Sequence, residues 1–343
     1  MRPTPAGGVP RPQIRIAVIG LGAIAQTAHL PVLTKMRGVQ VVALCDNDPG
    51  KARALAQRFS VPSTYTDIDD LLENETLDAV VIATPNHLHE PHVLSALRAG
   101  VHVMCERPFA LTGRGVERIV AAAKKAGQMV FVANNLRFRL DAQALHSFVH
   151  NGELGRVYAV RAGAYRLRGT VAPWRQRRAE SGGGAFIQLG LPLLDLAGWM
   201  GEFPEPVRAS ASMSRPAGKN SVEDALFVFA ELSNGFNVTI DVNWNYIGEG
   251  DRWWFEVLGT EGSARMSPLR IVKDINGKPT DVSPTGALQR DTPLMQSYKA
   301  EFAHFMAVLR EEAEYESPDD QILVYHSMEG IYQAAESGAE YRS

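Results

Sequence analysis

Ile14-Arg-Ile-Ala-Val-Ile-Gly20-Leu-Gly22-Ala-Ile-Ala25-Gln-Thr-Ala-His29 is the stretch whose reading decides the fold. Its first six residues are apolar or β-branched with one polar interruption, the pattern of a parallel strand buried on both faces. The glycines end that strand. Gly20 suits a tight strand-to-helix turn, Gly22 lets backbone approach a pyrophosphate, and Ala25 is small enough for the next helix to pack close. The helix start, with Ala23 and Ile24 in its first turn, aims unpaired N–H groups and a partial positive charge at phosphates. A dinucleotide site is the expectation.

Working outward, Val39 to Cys45 reads as a second continuous apolar strand ending at Asp46, about 20 residues past Ala25. A carboxylate there accepts hydrogen bonds from an adenosine ribose and repels a 2′-phosphate, so NAD is expected over NADP. The alternative makes Asp46 only a cap for the helix near Asp48-Pro49. Ala79 to Ala83 is the next strand, running into Thr84-Pro85-Asn86-His87-Leu88-His89. Pro85 forbids further sheet pairing, which displays Asn86 and His89 at the strand's carboxyl end, where ligands bind in open α/β sheets; Asn86 as a helix cap is the plainer reading. Val101 to Cys105 delivers Glu106-Arg107-Pro108 to the same edge, and Met129 to Ala133 closes the sheet. His87, His89, His92 and His102 lack the cysteine or carboxylate spacing of a metal centre, so no metal is expected. Cys45 and Cys105 each end a strand and read as buried inert thiols in a reducing compartment, which makes cytoplasm the default.

The chain has 343 residues, a formal charge of −3 and 21% charged residues. That length suits two domains. Neither a global basic excess for nucleic acid nor an apolar run approaching the roughly 20 residues that cross a bilayer is present. The expected division is a loose Pro/Gly-rich tail at 1–12, a dinucleotide-binding domain at 13–135, an α/β domain at 136–318, and a C-terminal helical segment at 319–343.

Taken together, Gly20-Leu-Gly22-Ala-Ile-Ala25, Asp46, Thr84-Pro85-Asn86 with His89, Ala99-Gly100-Val101-His102-Val103 leading to Glu106-Arg107-Pro108, and Gly182-Gly183-Gly184 with Asp195 resemble the Gfo/Idh/MocA oxidoreductase family. The resemblance implies an N-terminal Rossmann domain, a doubly wound parallel sheet, followed by an α/β domain on a large open, mainly antiparallel sheet. It also implies an NAD(P) cofactor, a sugar, polyol or related substrate, and a homodimer or homotetramer packed through the open sheets. The expected cofactor contacts are Gly20, Gly22, Ala23, Ile24, Asp46, Thr84, Pro85, Asn86, His89, Glu106, Arg107, Asn135, Trp174 and Arg175. Arg107, Tyr165, Gln188, Pro192 and Asp195 are expected to face the substrate.

Three departures matter. The family's Glu-Lys-Pro lysine, which contacts nicotinamide and substrate, is Arg107 here. Its aspartate and histidine after the glycine triplet are Gln188 and Pro192, and only Asp195 of that helix matches. Hydride removal from an alcohol needs a group to take the hydroxyl proton. Arginine stays protonated, an amide does not titrate, and proline offers no side-chain donor or acceptor. Arg107 has two readings: a fork that orients an anion or stabilises an oxyanion, or a salt bridge to Glu106 or a cofactor phosphate. Tyr165 is one substitute acid, with an arginine beside it lowering the phenol pKa; His87, His89 and Asp195 are others.

Further along, Leu140 to His150 reads as a helix and Arg156 to Arg166 as a strand. The run from Arg166 through Trp174-Arg175 to Arg178 is basic; resemblance lays it over the site mouth, where it would attract an anionic substrate or cofactor phosphates. Gly182-Gly183-Gly184 permits backbone close to the cofactor, and Ala185 to Met200 is a helix. Strands are expected at 207–213, 225–232, 236–244 and 253–258, with hairpins at Ser233-Asn234-Gly235 and Asn276-Gly277. The face through Phe227, Phe229, Phe236, Val238 and Ile240 is apolar enough to lie against helices, while Trp244, Trp253 and Trp254 are expected to reach a subunit contact, with ordinary core packing as the rival reading. Residues 278–292 read as a loop, and 294–310 and 319–337 as helices, the last returning by resemblance toward the first domain. The functional expectation is an NAD(P)-dependent oxidoreductase with a non-standard proton path. The alternatives are a catalytically silent NAD(P)- and ligand-binding sensor, or redox-neutral chemistry in which the cofactor is reduced and reoxidised within one cycle.

Overall fold

The computed structural model describes residues 13–216, 218, 221–284 and 292–343. The expected tail at 1–12 and much of the loop expected over 278–292 lie outside them. The first domain runs β1 (Ile14–Ile19), α1 (Leu30–Leu33), β2 (Val39–Cys45), α2 (Pro49–Phe59), β3 (Ser63–Tyr65), α3 (Ile68–Asn74), β4 (Ala79–Ile82), α4 (His89–Arg98), β5 (His102–Cys105), α5 (Gly113–Ala126) and β6 (Val130–Val132). Its six strands are parallel in the order β3-β2-β1-β4-β5-β6. β1 is central and buried except at Arg15, as a strand covered on both faces must be. The order reverses between β1 and β4, so the crevice where such sheets bind ligands opens at the carboxyl ends of those strands. Local chemistry sets the helix limits. The Asp48 carboxylate caps α2 by accepting from Gly50 N and Lys51 N, the Thr112 hydroxyl caps α5 by accepting from Gly115 N, and Gly127 ends α5 in the left-handed region.

Pro31 lies just beyond the glycine turn, where a proline would bend a regular helix or start its longer part. The structure resolves the strain differently: Ala25–His29 forms a π turn that passes into α1. The same arrangement recurs at Phe186–Gly190, which passes into a helix containing Pro192. Proline lacks the N–H that the i→i−4 ladder needs, and one wide turn absorbs the missing bond. The first wide turn presents His29 to Glu106 at the tip of β5, and the second carries Gln188.

The second domain comprises α6 (Leu140–His150), β7 (Val157–Leu167), α7 (Arg178–Ser181), α8 (Leu191–Met200), β8 (Pro206–Ser214), β9 (Ala225–Leu232), β10 (Asn237–Tyr246), β11 (Arg252–Gly259), β12 (Gly262–Met266), β13 (Arg270–Ile275) and β14 (Lys278–Asp281), followed by α9 (Pro293–Leu309), α10 (Asp320–Ser337) and β15 (Tyr341–Arg342). Nine strands form one sheet in the order β14-β13-β12-β11-β7-β10-β9-β8-β15, antiparallel except where β10 meets β7. Residues 278–281, expected as loop, are its edge strand. Among the described residues no helix is long and apolar enough to cross a membrane.

The register corrects the expected apolar face. Val238 and Ile240 pair with Ala230 and Val228 on the buried face, whereas Phe227 and Phe229 pair with Asp241 and Thr239 on the other, exposed one. Side chains alternate, so 227 and 229 are out of phase with 226, 228 and 230. Of the three tryptophans expected at a subunit contact, Trp244 is buried and donates to Asp224, and Trp253 stacks on the buried Phe255. Only Trp254 lies on the open face, flat against Gly163, where a Cβ would stand 2.0 Å from the indole.

Of the last two helices, one departs from the expected division. α10 meets the first domain as implied, through Tyr325 and Glu329, which accept from Ala110 N and Gly113 N. But α9, assigned to the second domain, lays Tyr298, Phe302, Phe305 and Met306 into the apolar core around β1 and β2. The apolar i, i+3, i+4, i+7 positions of α9 have their partner stripe on the first domain, so the helix belongs with it.

Candidate functional site

Gly20 leaves β1 at φ +87°, and a Cβ on it would lie 2.5 Å from the backbone of Ala83 and Thr84. The tight turn and the close crossing of β4 both demand glycine here. Gly22 has nothing within 4 Å of where its Cβ would be, leaving a cradle beside the helix start at Ala23 and Ile24, whose N–H groups have no intrahelical partner. Asp46 is bound to this loop: its Oδ2 accepts from Leu21 N at 2.8 Å, and its Oδ1 accepts from Asp48 N at 3.0 Å and Lys51 Nζ at 2.9 Å. Asp46 therefore braces the glycine loop rather than capping α2, which Asp48 does. These are the residues that fit a dinucleotide, with room for phosphates at Gly22 and a carboxylate for a ribose at the tip of β2.

Asn86 and His89, expected on display, are buried at 4% and 1% exposure. Asn86 does not cap a helix; its amide donates to Ser181 O at 2.8 Å and ties the β4 loop to α7. The His89 ring lies between Thr84 O (2.8 Å) and Pro108 O (2.6 Å), clamping the β4 and β5 loops together, and burial lowers its pKa. His89 is a clamp, not a ligand. Thr84 Oγ1 meets His92 Nδ1 at 3.3 Å, and Pro85 turns the chain out of the sheet.

Arg107 lies at the tip of β5. Its guanidinium does not pair with Glu106; Nε donates to Ala133 O and Nη2 to Asn135 Oδ1, both at 3.0 Å. Neutral acceptors orient the fork and leave its charge uncompensated by those contacts. Asn135 is buried, and its amide donates to Ser297 Oγ on α9 at 3.2 Å. The Glu106 carboxylate faces inward instead, with Oε1 2.9 Å from His29 Nε2 and Oε2 accepting from Arg107 N at 3.3 Å. Burial alone would raise its pKa, but the His29 hydrogen bond and charge, with Arg107, hold it below the usual range.

The second domain supplies less than expected. Tyr165 stands on the open face of the sheet: its register partners there are Asn243 and Arg252, and its hydroxyl donates to Asp241. It does not meet Arg107. Burial and then Asp241 push its pKa up to about 12, against the lowering expected from a neighbouring arginine, because Arg252 is outweighed. Asp195 is 3% exposed and accepts from Arg137 on both oxygens, from Asn134 Nδ2 at 3.1 Å and from Gln321 Nε2 at 2.8 Å. It is a brace between the segment after β6, α8 and α10 rather than a substrate ligand. Gln188 is half-buried on the π turn, and Pro192 is buried at the start of α8. Gly183 and Gly184 approach not an open cleft but Tyr332 Oη and Glu223 O, at 2.1 and 2.0 Å from their would-be Cβ atoms. Glu223, unremarked in the sequence, is buried and accepts from Gly184 N, Phe186 N and Tyr332 Oη, each at 2.9 Å.

The basic segment after β7 is partly neutralised: Arg177 pairs with Glu180, and Arg178 with Glu336. Arg175 lies 5.2 Å from the Trp174 ring, and its buried Nε has no partner. Cys45 and Cys105 are free and buried, with the Cys45 thiol raised to about 12 by burial and neighbouring carboxylates, as inert thiols should be.

Comparison with known proteins decides the family. Residues 14–134 match the model of an oxidoreductase family with an NAD-binding Rossmann fold, and residues 142–265 match the C-terminal domain of the same family. The chain belongs to the Gfo/Idh/MocA oxidoreductase family. It is 31% identical over 282 residues to D-glucoside 3-dehydrogenase of Escherichia coli K12, covering 77% of this chain and 80% of that one. It is 29% identical over 293 residues to inositol 2-dehydrogenase of Acidothermus cellulolyticus, covering 84% and 80%. Among solved structures it resembles GenD2 from gentamicin A biosynthesis in complex with NAD, at 25% identity and TM-score 0.83 over 100% of this chain and 99% of that one. Membership in this family accounts for the parallel sheet, the glycine loop and the open second sheet together.

Proposed function

We propose that this family member is an NAD-dependent oxidoreductase of a sugar, polyol or related small polar alcohol, in which the substrate proton does not leave through residues 107, 188 and 192. The observation that carries the reading is the Leu21 N–Asp46 Oδ2 bond, which holds the glycine cradle and the β2 carboxylate in one rigid unit. Bound nicotinamide would supply the hydride acceptor. Gly22 with the N–H groups of Ala23 and Ile24 would hold the phosphates, Asp46 would orient the adenosine ribose, and Arg107 would stabilise a developing alkoxide through its remaining N–H groups. The dehydrogenase relatives support the substrate class, and two free buried thiols support a cytoplasmic setting. Steady-state absorbance with NAD and a panel of sugars, polyols and hydroxy acids tests it; turnover on at least one alcohol is expected, and a flat trace across the panel contradicts it.

A second reading, a catalytically silent sensor, draws on one observation: Tyr165 and Asp195 are both committed to other partners. Restoring lysine at 107, aspartate at 188 and histidine at 192 separates the two. Activity gained only by that triple variant favours the sensor, whereas wild-type turnover eliminates it.

Lys51 modifies the cofactor preference. Its ammonium, 2.9 Å from Asp46 Oδ1 and on a side chain 37% exposed, would turn toward a 2′-phosphate and offset the repulsion by Asp46. The Lys51→Met variant is expected to lose roughly fivefold in NADP affinity, of the order of an exposed ion pair, and to change NAD affinity less than twofold in calorimetric titration. The open sheet face, bearing Tyr158, Phe227 and Phe229 at 40%, 48% and 38% exposure, fits a second copy of this chain. A sedimentation mass of at least twice 37.5 kDa is the expected result.

A further inference from the structure

From Arg166 to Ser181 the chain carries five arginines, at 166, 168, 175, 177 and 178, and one acidic residue, Glu180. Three of the five are engaged: Arg168 donates to Asn245 Oδ1 at 2.7 Å, Arg177 pairs with Glu180, and Arg178 pairs with Glu336. Arg166 and Arg175 are not; among the described residues neither guanidinium makes a hydrogen bond or an ion pair. Arg175 is half-buried against the Trp174 ring, 5.2 Å away, and its buried Nε has no acceptor. Burial lowers its pKa, and the charge of Arg166 lowers it further. A fully hydrated arginine needs no counter-ion, but two like charges brought together, one of them half out of water, disfavour the charged state of both.

Their place in the fold sets this pair beside the crevice. Val160, Ala162 and Ala164 face the helix-covered side of the second sheet, and by alternation Arg166 is the next residue on that side, exposed where β7 emerges. The turn bearing Arg175, Pro173–Gln176, runs directly into α7, and Asn86 bonds the β4 loop to Ser181 O of α7 at 2.8 Å. That β4 loop begins at Thr84, against which the Gly20 turn is packed. The pair thus stands across the β4 loop from the glycine cradle, on the second domain.

We propose that Arg166 and Arg175 form a subsite for an oxyanion of the substrate, so that the alcohol acted on is a sugar acid or sugar phosphate rather than a neutral sugar or polyol. The inference rests on the oxidoreductase reading above and narrows its substrate. Planar guanidinium forks match a carboxylate or a phosphate with paired N–H donors, and such charge-assisted bonds are roughly twice as strong as those to a neutral hydroxyl. Stacking on Trp174 fixes the plane of one fork before the ligand arrives, which lowers the entropy lost on binding. The phosphates of a dinucleotide have their own cradle at Gly22, Ala23 and Ile24 on the first domain, so they leave this pair free. Arg107, held by Ala133 O and Asn135, also belongs to the first domain and is left for the reacting oxygen.

Calorimetric titration of matched congeners into the chain in the presence of NAD tests this. The probes are D-glucose, D-gluconate and D-glucose 6-phosphate, and glycerol, glycerate and glycerol 3-phosphate. At least one anionic member should bind roughly tenfold or more tighter than its neutral counterpart, and the advantage should shrink as salt rises. Whether carboxylate or phosphate leads identifies the anion, and either supports the subsite. Arg166→Met, at an exposed position, should cost that anion roughly tenfold and change NAD affinity less than twofold. Arg166→Lys, which keeps the charge but loses the fork, should fall between. Anionic congeners that bind no better than neutral ones, or not at all, overturn the subsite, as does an advantage that persists in Arg166→Met. Equal losses of NAD and anion affinity in Arg166→Met overturn it too, because the pair would then serve the cofactor phosphates. Absorbance assays with the same congeners keep the two readings apart. Turnover of a neutral sugar with no anionic advantage overturns the subsite alone, whereas arginine-dependent anion binding with a flat trace overturns the oxidoreductase reading alone.

Discussion

Replacing Asp195 by alanine is expected to lower the melting temperature by roughly 10 °C. The carboxylate accepts from Arg137 on both oxygens and from Asn134 and Gln321, all within a region where Asp195 is 3% and the Arg137 side chain 18% exposed. Removing one partner of a buried ion pair costs about 3–5 kcal/mol because the other charge is left uncompensated, and for a domain of this size about 1 kcal/mol moves the midpoint by roughly 2–4 °C. Asp320, which also pairs with Arg137, offsets part of the loss and keeps the effect at the lower end of that range. Asp195→Asn, which preserves shape and hydrogen bonding but not charge, should fall between wild type and alanine. Thermal unfolding followed by circular dichroism checks both. A shift of less than about 2 °C for alanine would mean that Asp195 is not the brace between α8 and α10 described above.

Gly20→Ala is expected to weaken nucleotide binding by roughly a hundredfold. The added Cβ would sit 2.5 Å from the Ala83 carbonyl and Thr84 N, at φ +87°. The left-handed conformation alone costs an alanine about 1–2 kcal/mol, and relieving the backbone contact must also displace the loop that Asp46 holds. A total near 3 kcal/mol corresponds to about two decades of affinity. Gly22→Ala separates crowding of the ligand from strain in the fold. Its Cβ meets nothing within 4 Å, so the melting temperature should stay near wild type while affinity for the pyrophosphate falls. Titration calorimetry beside thermal unfolding distinguishes the two variants; equal melting temperatures with undiminished affinity in Gly20→Ala would remove the loop from the binding account.

The first domain was legible because its signals are local. A buried parallel strand reads as an unbroken apolar run, a glycine turn has a fixed spacing, and Asp46 and Arg107 stand at strand ends where the pattern stops. The second sheet was legible in its strands but not in its faces. Phe227 and Phe229 are as apolar as their buried neighbours, and composition does not fix the phase of an alternation when one face is meant for another surface. Tyr165 failed for the same reason, since one position along β7 exchanges the helix-covered face for the open one. The inward turn of Glu106 toward His29 could not be read, because the pair is 77 positions apart and depends on the π turn that Pro31 imposes. Glu301, buried on α9, did leave a trace: a lone acid among Tyr298, Phe302 and Phe305 at helical spacing is a charge where the stripe demands an apolar residue. Glu223 left none, its role being to receive the backbone of a glycine triplet about 40 positions earlier.

The account depends most on where a nucleotide lies, and calorimetric titration of NAD into the wild-type chain and into Asp46→Ala measures that directly. The predicted result is saturable binding of about one nucleotide per chain, weakened at least tenfold by the substitution as a charge-assisted ribose contact and the Leu21 brace are lost together. No heat of binding in the wild type, or equal affinity in the two proteins, would contradict it.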